Sequence, residues 1–101
     1  MIALRFALSD PQKAQERAQL HPAHKAHLVS APFKVTVSGP AFDERGDTTV
    51  AALLTAEVDN LGELERFSAD DPFVRSGVYS QVWIFEWRPS QQSVLSVLPQ
   101  A

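Results

Sequence analysis

The sequence predicts a small α+β domain built around one antiparallel sheet. The chain has 101 residues, which is the length of a single domain. Runs of apolar, β-branched and aromatic residues alternate with polar runs that favour helix. Proline, glycine, aspartate and asparagine stand between these runs, where turns and helix caps are expected. These observations favour strands and helices that follow one another within one folded unit.

Composition and charge exclude several classes of site and partner. The chain has no cysteine, which excludes disulfides, thiolate nucleophiles and cysteine-based metal sites. Nine Lys and Arg against twelve Asp and Glu give a formal charge of −3 without charged blocks, which argues against nucleic acid as a partner. Neither a signal peptide nor a membrane-spanning stretch is recognisable, so we expect a cytoplasmic protein without a membrane partner.

The chain opens with a strand followed by helical sequence. Residues 2–8 are apolar and β-favouring and stop at Ser-Asp-Pro, which predicts the first strand. Residues 12–20 favour helix, and Pro22 interrupts them. Because proline is tolerated in a first helical turn, a new helix is predicted over residues 22–29. This prediction places His24 near a helix N-terminus.

Two further strands and a second helix come next. Residues 34–38 contain three β-branched side chains, and Gly39-Pro40 is predicted to close this second strand with a turn. Residues 48–58 form a β-branched and apolar run that predicts the third strand. The Asp-Asn pair at 59–60 precedes an amphipathic run, which predicts the N-cap and start of the second helix.

The last strand is predicted at residues 81–87, after a helix break at 70–72, and Pro89 ends it. The order strand, helix, strand, strand, helix, strand matches the ferredoxin-like βαββαβ plait. In that plait the helices cover one face of a four-stranded antiparallel sheet. Residues 1–89 are therefore assigned to the domain and residues 90–101 to a C-terminal tail.

The fourth strand carries bulky apolar side chains on both faces. Trp83, Phe85 and Trp87 alternate with Val82 and Ile84, so they point to the opposite side of the sheet. A sheet that is apolar on both sides needs a cover, and a second copy is the natural one for a small chain. We therefore expect a homodimer through the sheet face. The alternative is that the tail folds over this face.

A histidine and an aspartate are expected to meet at one edge of the sheet. In this topology the helix start near His24, the helix end before Asp71 and the Gly39-Pro40 turn share that edge. A carboxylate beside an imidazole orients the ring and favours its protonated form, so the pair can transfer protons near neutral pH. Helix capping by His24 and turn formation by Asp71 ahead of Pro72 are the structural alternatives.

Four short motifs resemble the YCII-related domain family over roughly residues 1–89. The resemblance implies a ferredoxin-like protomer of the dimeric α+β barrel superfamily, similar to muconolactone isomerase and chlorohydroxyhydroquinone dehydrochlorinase. It also implies that the family's proposed active-site histidine and aspartate fall on His24 and Asp71. The motifs are RAQLHPAH at 17–24, VSGP at 37–40, DDPFV at 70–74 and GVY at 77–79.

The same motifs suggest residues that contact a substrate. Arg17 falls on a recurrent family position and could hold an anionic group through a bidentate contact, with a solvated helix face as the alternative. Ser38, Gly39 and Pro40 fall on the second motif, although glycine and proline more often indicate turn geometry. Tyr79 could donate a hydrogen bond at the rim of a pocket or simply pack.

These observations predict a lyase or isomerase that acts on a small organic molecule without a cofactor. His24 would be the general acid and base, and Asp71 would orient it. The competing hypothesis is a non-catalytic ligand-binding or accessory dimeric domain. A metal site is not expected, because the spacing of His21, His24 and His27 does not by itself supply a metal geometry.

Overall fold

The computed structural model describes residues 1–91 and shows a four-stranded antiparallel sheet with helices packed on one face. The strand order is β2-β3-β1-β4, which is the ferredoxin-like arrangement and confirms the predicted fold class. Of the predicted tail, residues 92–101 lie outside the described residues. In chain order the elements are β1 (Ile2–Ser9), a 3-10 turn (Pro11–Lys13), α1 (Ala14–Val29), β2 (Lys34–Phe42), β3 (Thr49–Glu57), α2 (Leu61–Ala69), α3 (Pro72–Arg75) and β4 (Tyr79–Trp87).

The face of the sheet beneath the helices is lined by small side chains. Ala3 and Ala7 of β1 lie opposite Ala56 and Ala52 of β3, and all four are buried. Alanines at these positions let the helices approach the sheet closely. Larger side chains then pack around this layer in two core clusters, one centred on Leu54, Leu64 and Phe67 and the other on Phe73, Val78 and Tyr79.

The predicted helix break at Pro22 is wrong. One continuous helix, α1, runs for 16 residues with Pro22 inside it. Proline cannot donate to the carbonyl four residues earlier, but Ala18 and Pro22 are both exposed, so that carbonyl can bind water instead. His24 consequently lies in the second half of a long helix rather than in the first turn of a short one.

The predicted turn at Gly39-Pro40 is also wrong. Strand β2 continues to Phe42, and Gly39 and Pro40 pair with Leu53 and Ala52 of β3. β2 is an edge strand, where proline is tolerated because no outer strand requires its missing N–H. The chain reverses later, in a loop where Gly46 adopts a positive φ of 75°.

The second helix begins as the sequence predicts. The side chain of Asn60 accepts from the backbone N–H of Glu63, and the Glu63 carboxylate accepts from the backbone N–H of Asn60. This reciprocal capping box satisfies two N–H groups that an open helix end would leave unpaired. After α2 ends, the four-residue helix α3 forms where the sequence predicted only a break.

The opposite side of the sheet, here called the open face, exposes large apolar side chains. Within residues 1–91 these include Val37, Leu53, Trp83, Phe85 and Trp87, with exposed fractions from 39% to 54%. Along β4, the residues Trp83, Phe85 and Trp87 alternate with Val82 and Ile84, as the sequence pattern predicts. In the same part of the chain, no helix combines the length and apolar character needed to cross a lipid bilayer.

Candidate active site

His24 and Asp71 are in direct contact beneath α1. Nδ1 of His24 lies 2.8 Å from Oδ1 of Asp71, although the two residues are 47 positions apart. Asp71 is fully buried and His24 is 7% exposed. The second half of α1 supplies the histidine, and the junction between α2 and α3 supplies the aspartate. The structure thus brings the two residues together at the helix-covered face of the sheet.

Asp71 is fixed by its place at the start of α3. Its Oδ1 also accepts from the backbone N–H of Phe73 at 2.9 Å, and Pro72 occupies the first helical position, where a missing N–H is harmless. The Phe73 ring then stacks on the imidazole of His24, with centroids 4.0 Å apart and planes 8° from parallel. One short helix therefore orients both members of the pair.

Arg5 completes the buried polar cluster. Its Nη1 donates to Oδ2 of Asp71 at 3.2 Å and to Oγ of Ser68 at 3.3 Å, and Arg5 is only 2% exposed. Its Nε has no hydrogen-bond partner within residues 1–91. Sequence reasoning missed Arg5, although one signal was present. An arginine between Ala3 and Ala7 shares their core-facing parity on β1, and a buried arginine requires a buried acceptor.

The cluster keeps the aspartate ionised. Burial by itself raises the pKa of Asp71, but the hydrogen bonds from His24 and from the Phe73 backbone, together with the charges of His24 and Arg5, lower it below its ordinary value. An ionised carboxylate can only accept hydrogen bonds, so Nδ1 of His24 carries a proton. In the neutral imidazole, Nε2 is then the nitrogen that can accept one.

A cavity of about 250 Å³ lies between α1 and the sheet and has His24 in its wall. Residues from α1, from the centre of the sheet and from the edge strand β2 line this cavity. All five residues predicted to contact a ligand line it, and so does the unpredicted Arg5. The predicted residues are Arg17, Ser38, Gly39, Pro40 and Tyr79.

Arg17 packs on Phe73, the ring that also stacks on His24, and Tyr79 packs on His24 itself. The Arg17 guanidinium lies over the ring of Phe73, with its carbon 5.0 Å from the centroid, and donates to Oγ of Ser9 at 3.0 Å. The Tyr79 ring meets His24 edge-on, with centroids 5.9 Å apart. Burial raises the pKa of the Tyr79 hydroxyl, which therefore stays protonated as a potential donor.

The other two histidines have different surroundings. His21 lines the cavity, with its ring centroid 6.5 Å from that of His24. His27 stacks on Phe67, and its Nε2 lies 2.8 Å from the carbonyl oxygen of Phe67. Within residues 1–91, no three His, Asp or Glu side chains are grouped so that they could hold a metal ion.

Residues 1–88 match the sequence model of the YCII-related domain family. The chain belongs to the YCII-related domain family. No curated protein sequence matches this YCII-related chain. The three solved structures described next are each less than 25% identical to it in sequence and bear on the fold alone.

These structures illustrate the likeness. The first is 5-chloro-2-hydroxyhydroquinone dehydrochlorinase, TftG, from Burkholderia phenoliruptrix in complex with 2,5-dihydroxybenzoquinone. It has a TM-score of 0.74 and 24% identity, over 87% of this chain and 94% of its own. A NIPSNAP domain protein from Burkholderia xenovorans has a TM-score of 0.54 and 11% identity, over 88% and 93%. SnoaB, a cofactor-independent oxygenase from Streptomyces nogalater, has a TM-score of 0.50 and 14% identity, over 88% of this chain and 92% of its own.

Proposed function

We propose that this YCII-related domain binds a small organic molecule in the cavity and catalyses its isomerisation or elimination. His24 is the general acid and base, and Asp71 is the residue that positions it. The observation that carries the proposal is the 2.8 Å contact between a buried carboxylate and an imidazole that forms part of a cavity wall. A buried carboxylate is costly, and orienting an imidazole for proton transfer gives it a use.

The proposed chemistry follows from the two ring nitrogens. Asp71 holds the proton on Nδ1, so Nε2 takes a proton from the substrate, and the imidazolium that forms is stabilised by the adjacent carboxylate. In an isomerisation, Nε2 returns the proton to a different substrate atom. In an elimination, the leaving group departs with its bonding electron pair, and the proton passes to solvent. Neither sequence requires a cofactor.

The residues around the pair would hold the substrate. We assign Tyr79 and Ser38 as hydrogen-bond donors and Gly39 and Pro40 as the part of the β2 wall that the substrate packs against. The structure of TftG with 2,5-dihydroxybenzoquinone supplies a probe, since this ligand is a flat ring with several oxygens. For this chain we therefore propose a cyclic substrate of similar size.

A second part of the proposal is that the domain works as a homodimer through the open face. The exposed aromatic side chains of β4 and the exposed Val37 and Leu53 are on the same side of the sheet, where Phe6 of β1 lies between Trp83 and Leu53. Sheet-to-sheet packing between two copies would remove this surface from water. The dimeric α+β barrel implied by the family resemblance has this arrangement.

Catalysis is tested by following chloride release from 5-chloro-2-hydroxyhydroquinone by the parent chain and two variants. His24→Gln removes the proposed base, whereas His27→Gln alters a histidine on the same helix that contacts Phe67 instead of Asp71. We expect turnover by the parent and by His27→Gln, and a loss of about a hundredfold or more in His24→Gln. Equal turnover in the two variants would remove His24 from the mechanism.

The tautomer of His24 supplies a test that needs no substrate. Nitrogen-15 NMR of the neutral ring should show the proton on Nδ1, because the ionised Asp71 accepts from that nitrogen. A proton on Nε2 instead would contradict the proposed role of that nitrogen as a base. Binding of 2,5-dihydroxybenzoquinone without turnover of any quinol tested would favour the non-catalytic ligand-binding domain.

A further inference from the structure

The cavity wall is strongly biased in charge. Arg5, Arg17 and Lys25 line the cavity, and no Asp or Glu is among its lining residues. This contrasts with the chain as a whole, which has twelve acidic residues against nine basic ones. A concave site walled by cations concentrates anions, because low-dielectric surroundings focus the field of its charges.

The cations differ in how far protein groups already neutralise them. Arg5 is paired with Asp71 at 3.2 Å, so its charge is compensated within the buried cluster. Arg17 and Lys25 have no ion-pair partner among residues 1–91. Arg17 is partly buried, and its hydrogen bond to Ser9 uses one of five N–H donors. The donors that face neither Ser9 nor Tyr79 can therefore serve a ligand.

The guanidinium of Arg17 is also held in place. It lies over Phe73 at 5.0 Å and near Tyr79 at 5.9 Å, both measured from its central carbon to the ring centroid. Stacking of this kind limits the rotamers of the long side chain, so less entropy is lost when it binds an anion. A planar guanidinium fixed in the wall of the cavity that His24 also lines is suited to bind a carboxylate or an ionised hydroxyl.

Size and shape restrict the ligand further. The volume of about 250 Å³ lies below the roughly 300 Å³ at which drug-sized ligand sites begin, which leaves room for one ring and its substituents. Phe73, Tyr79, Leu28 and Pro40 supply flat or apolar wall on several sides. These surfaces favour the faces of a planar ring, whereas the cations favour oxygens at its edge.

We propose that the cavity selects a small planar anion, a single ring that carries a carboxylate or an ionised hydroxyl, and that Arg17 binds the charged oxygen. The inference rests on the proposed function, since it names the substrate class of the same site. It also adds a step to that function. When Nε2 of His24 removes a proton, negative charge develops on the substrate, and Arg17 is placed to stabilise it.

The experiment compares benzoate with benzamide, which has nearly the same shape and no charge. Each is titrated at neutral pH into the uniformly nitrogen-15-labelled full chain, and amide and ring shifts around the cavity are followed. We expect benzoate to bind at least about tenfold more tightly than benzamide, as charge-assisted contacts predict. Equal affinities, or no benzoate shifts near His24 at millimolar concentration, would overturn the inference. This comparison needs no variant and so does not depend on one folding.

Variants then assign the contact. Arg17→Gln should lose benzoate affinity by about tenfold or more and leave benzamide unaffected, while Arg17→Lys should retain part of the preference. Arg88→Gln is the matched control, because the Arg88 side chain is 84% exposed and pairs with Glu86. Unchanged benzoate binding in Arg17→Gln would overturn the assignment. His24→Gln should still bind benzoate, so failure of the acid/base role and failure of anion selection give different results.

Discussion

The two faces of the same sheet perform different physical tasks. On the helix-covered side, small alanines surround the buried Arg5, which pairs with Asp71 and Ser68. On the open face, Trp83 and Phe85 stand 39% and 54% exposed. The first face buries charge only because each charge has a partner, and the second leaves apolar surface in water. This difference is the reason for proposing that a second copy covers the open face, whereas the helix face is already buried within residues 1–91.

Among the variants that test the difference between the two faces, Asp71→Ala is expected to cause the largest loss of unfolding free energy. It leaves Arg5 buried without its carboxylate, removes the partner of His24 and uncaps α3. Breaking a buried pair by removing one partner costs roughly 3–5 kcal/mol of unfolding free energy. Urea denaturation measures it, with Asp70→Ala as the control, since Asp70 is the exposed neighbour. Equal losses in the two variants would mean that the cluster does not stabilise the helix face.

A second pair of variants compares the faces directly. Leu54 and Leu53 are adjacent on β3, yet Leu54 is 1% exposed and Leu53 is 41% exposed. Leu54→Ala should cost about 2–5 kcal/mol, because it opens a cavity in the core. Leu53→Ala should cost less than half as much in the monomer. If a second copy covers the open face, the cost of Leu53→Ala in urea denaturation should grow with protein concentration, while that of Leu54→Ala should not.

The third variant, Phe85→Asp, tests whether a second copy of the chain covers the open face. A charge within the proposed apolar contact should raise the dissociation constant of the homodimer by about tenfold or more. Sedimentation velocity over a range of concentrations measures it. Gln19→Asp, on the exposed side of α1, adds the same charge away from the sheet and should have no effect. A parent chain that is monomeric at every concentration would contradict the homodimer.

The smallest change in unfolding free energy is expected when the pH is lowered. The pKa of Asp71 is lowered in the folded protein, so its stabilising contribution is complete above its ordinary value of 3.8 and is lost as the pH falls through the lower folded value. Unfolding free energy should therefore decline on acidification below about pH 4. Asp71→Asn should flatten this decline, whereas Asp70→Asn should preserve it. An equally steep decline in Asp71→Asn would place the acid-sensitive carboxylate elsewhere.

Local chemistry in the sequence was sufficient for the four strands, for the two longer helices and for their order, but not for the short helix α3. Alternating apolar residues indicate the strands, and Asn60 marks the start of α2 through its capping box. The extents of α1 and β2 were misjudged because proline and glycine signals are local. An exposed position in α1 and an edge position in the sheet removed the cost that Pro22 and Pro40 usually carry.

The sequence by itself determined the fold class and, through family motifs, some of the residues that line the cavity, among them Arg17, His24 and Tyr79. Only the tertiary structure decided how those residues meet. Asp71 binds Arg5 and His24 together, although Arg5 lies 66 positions from it and belongs to no recognised motif. The physical reason is that a strand or helix is specified by neighbours a few residues apart, whereas a buried charge is specified by a partner that only the folded chain brings within reach.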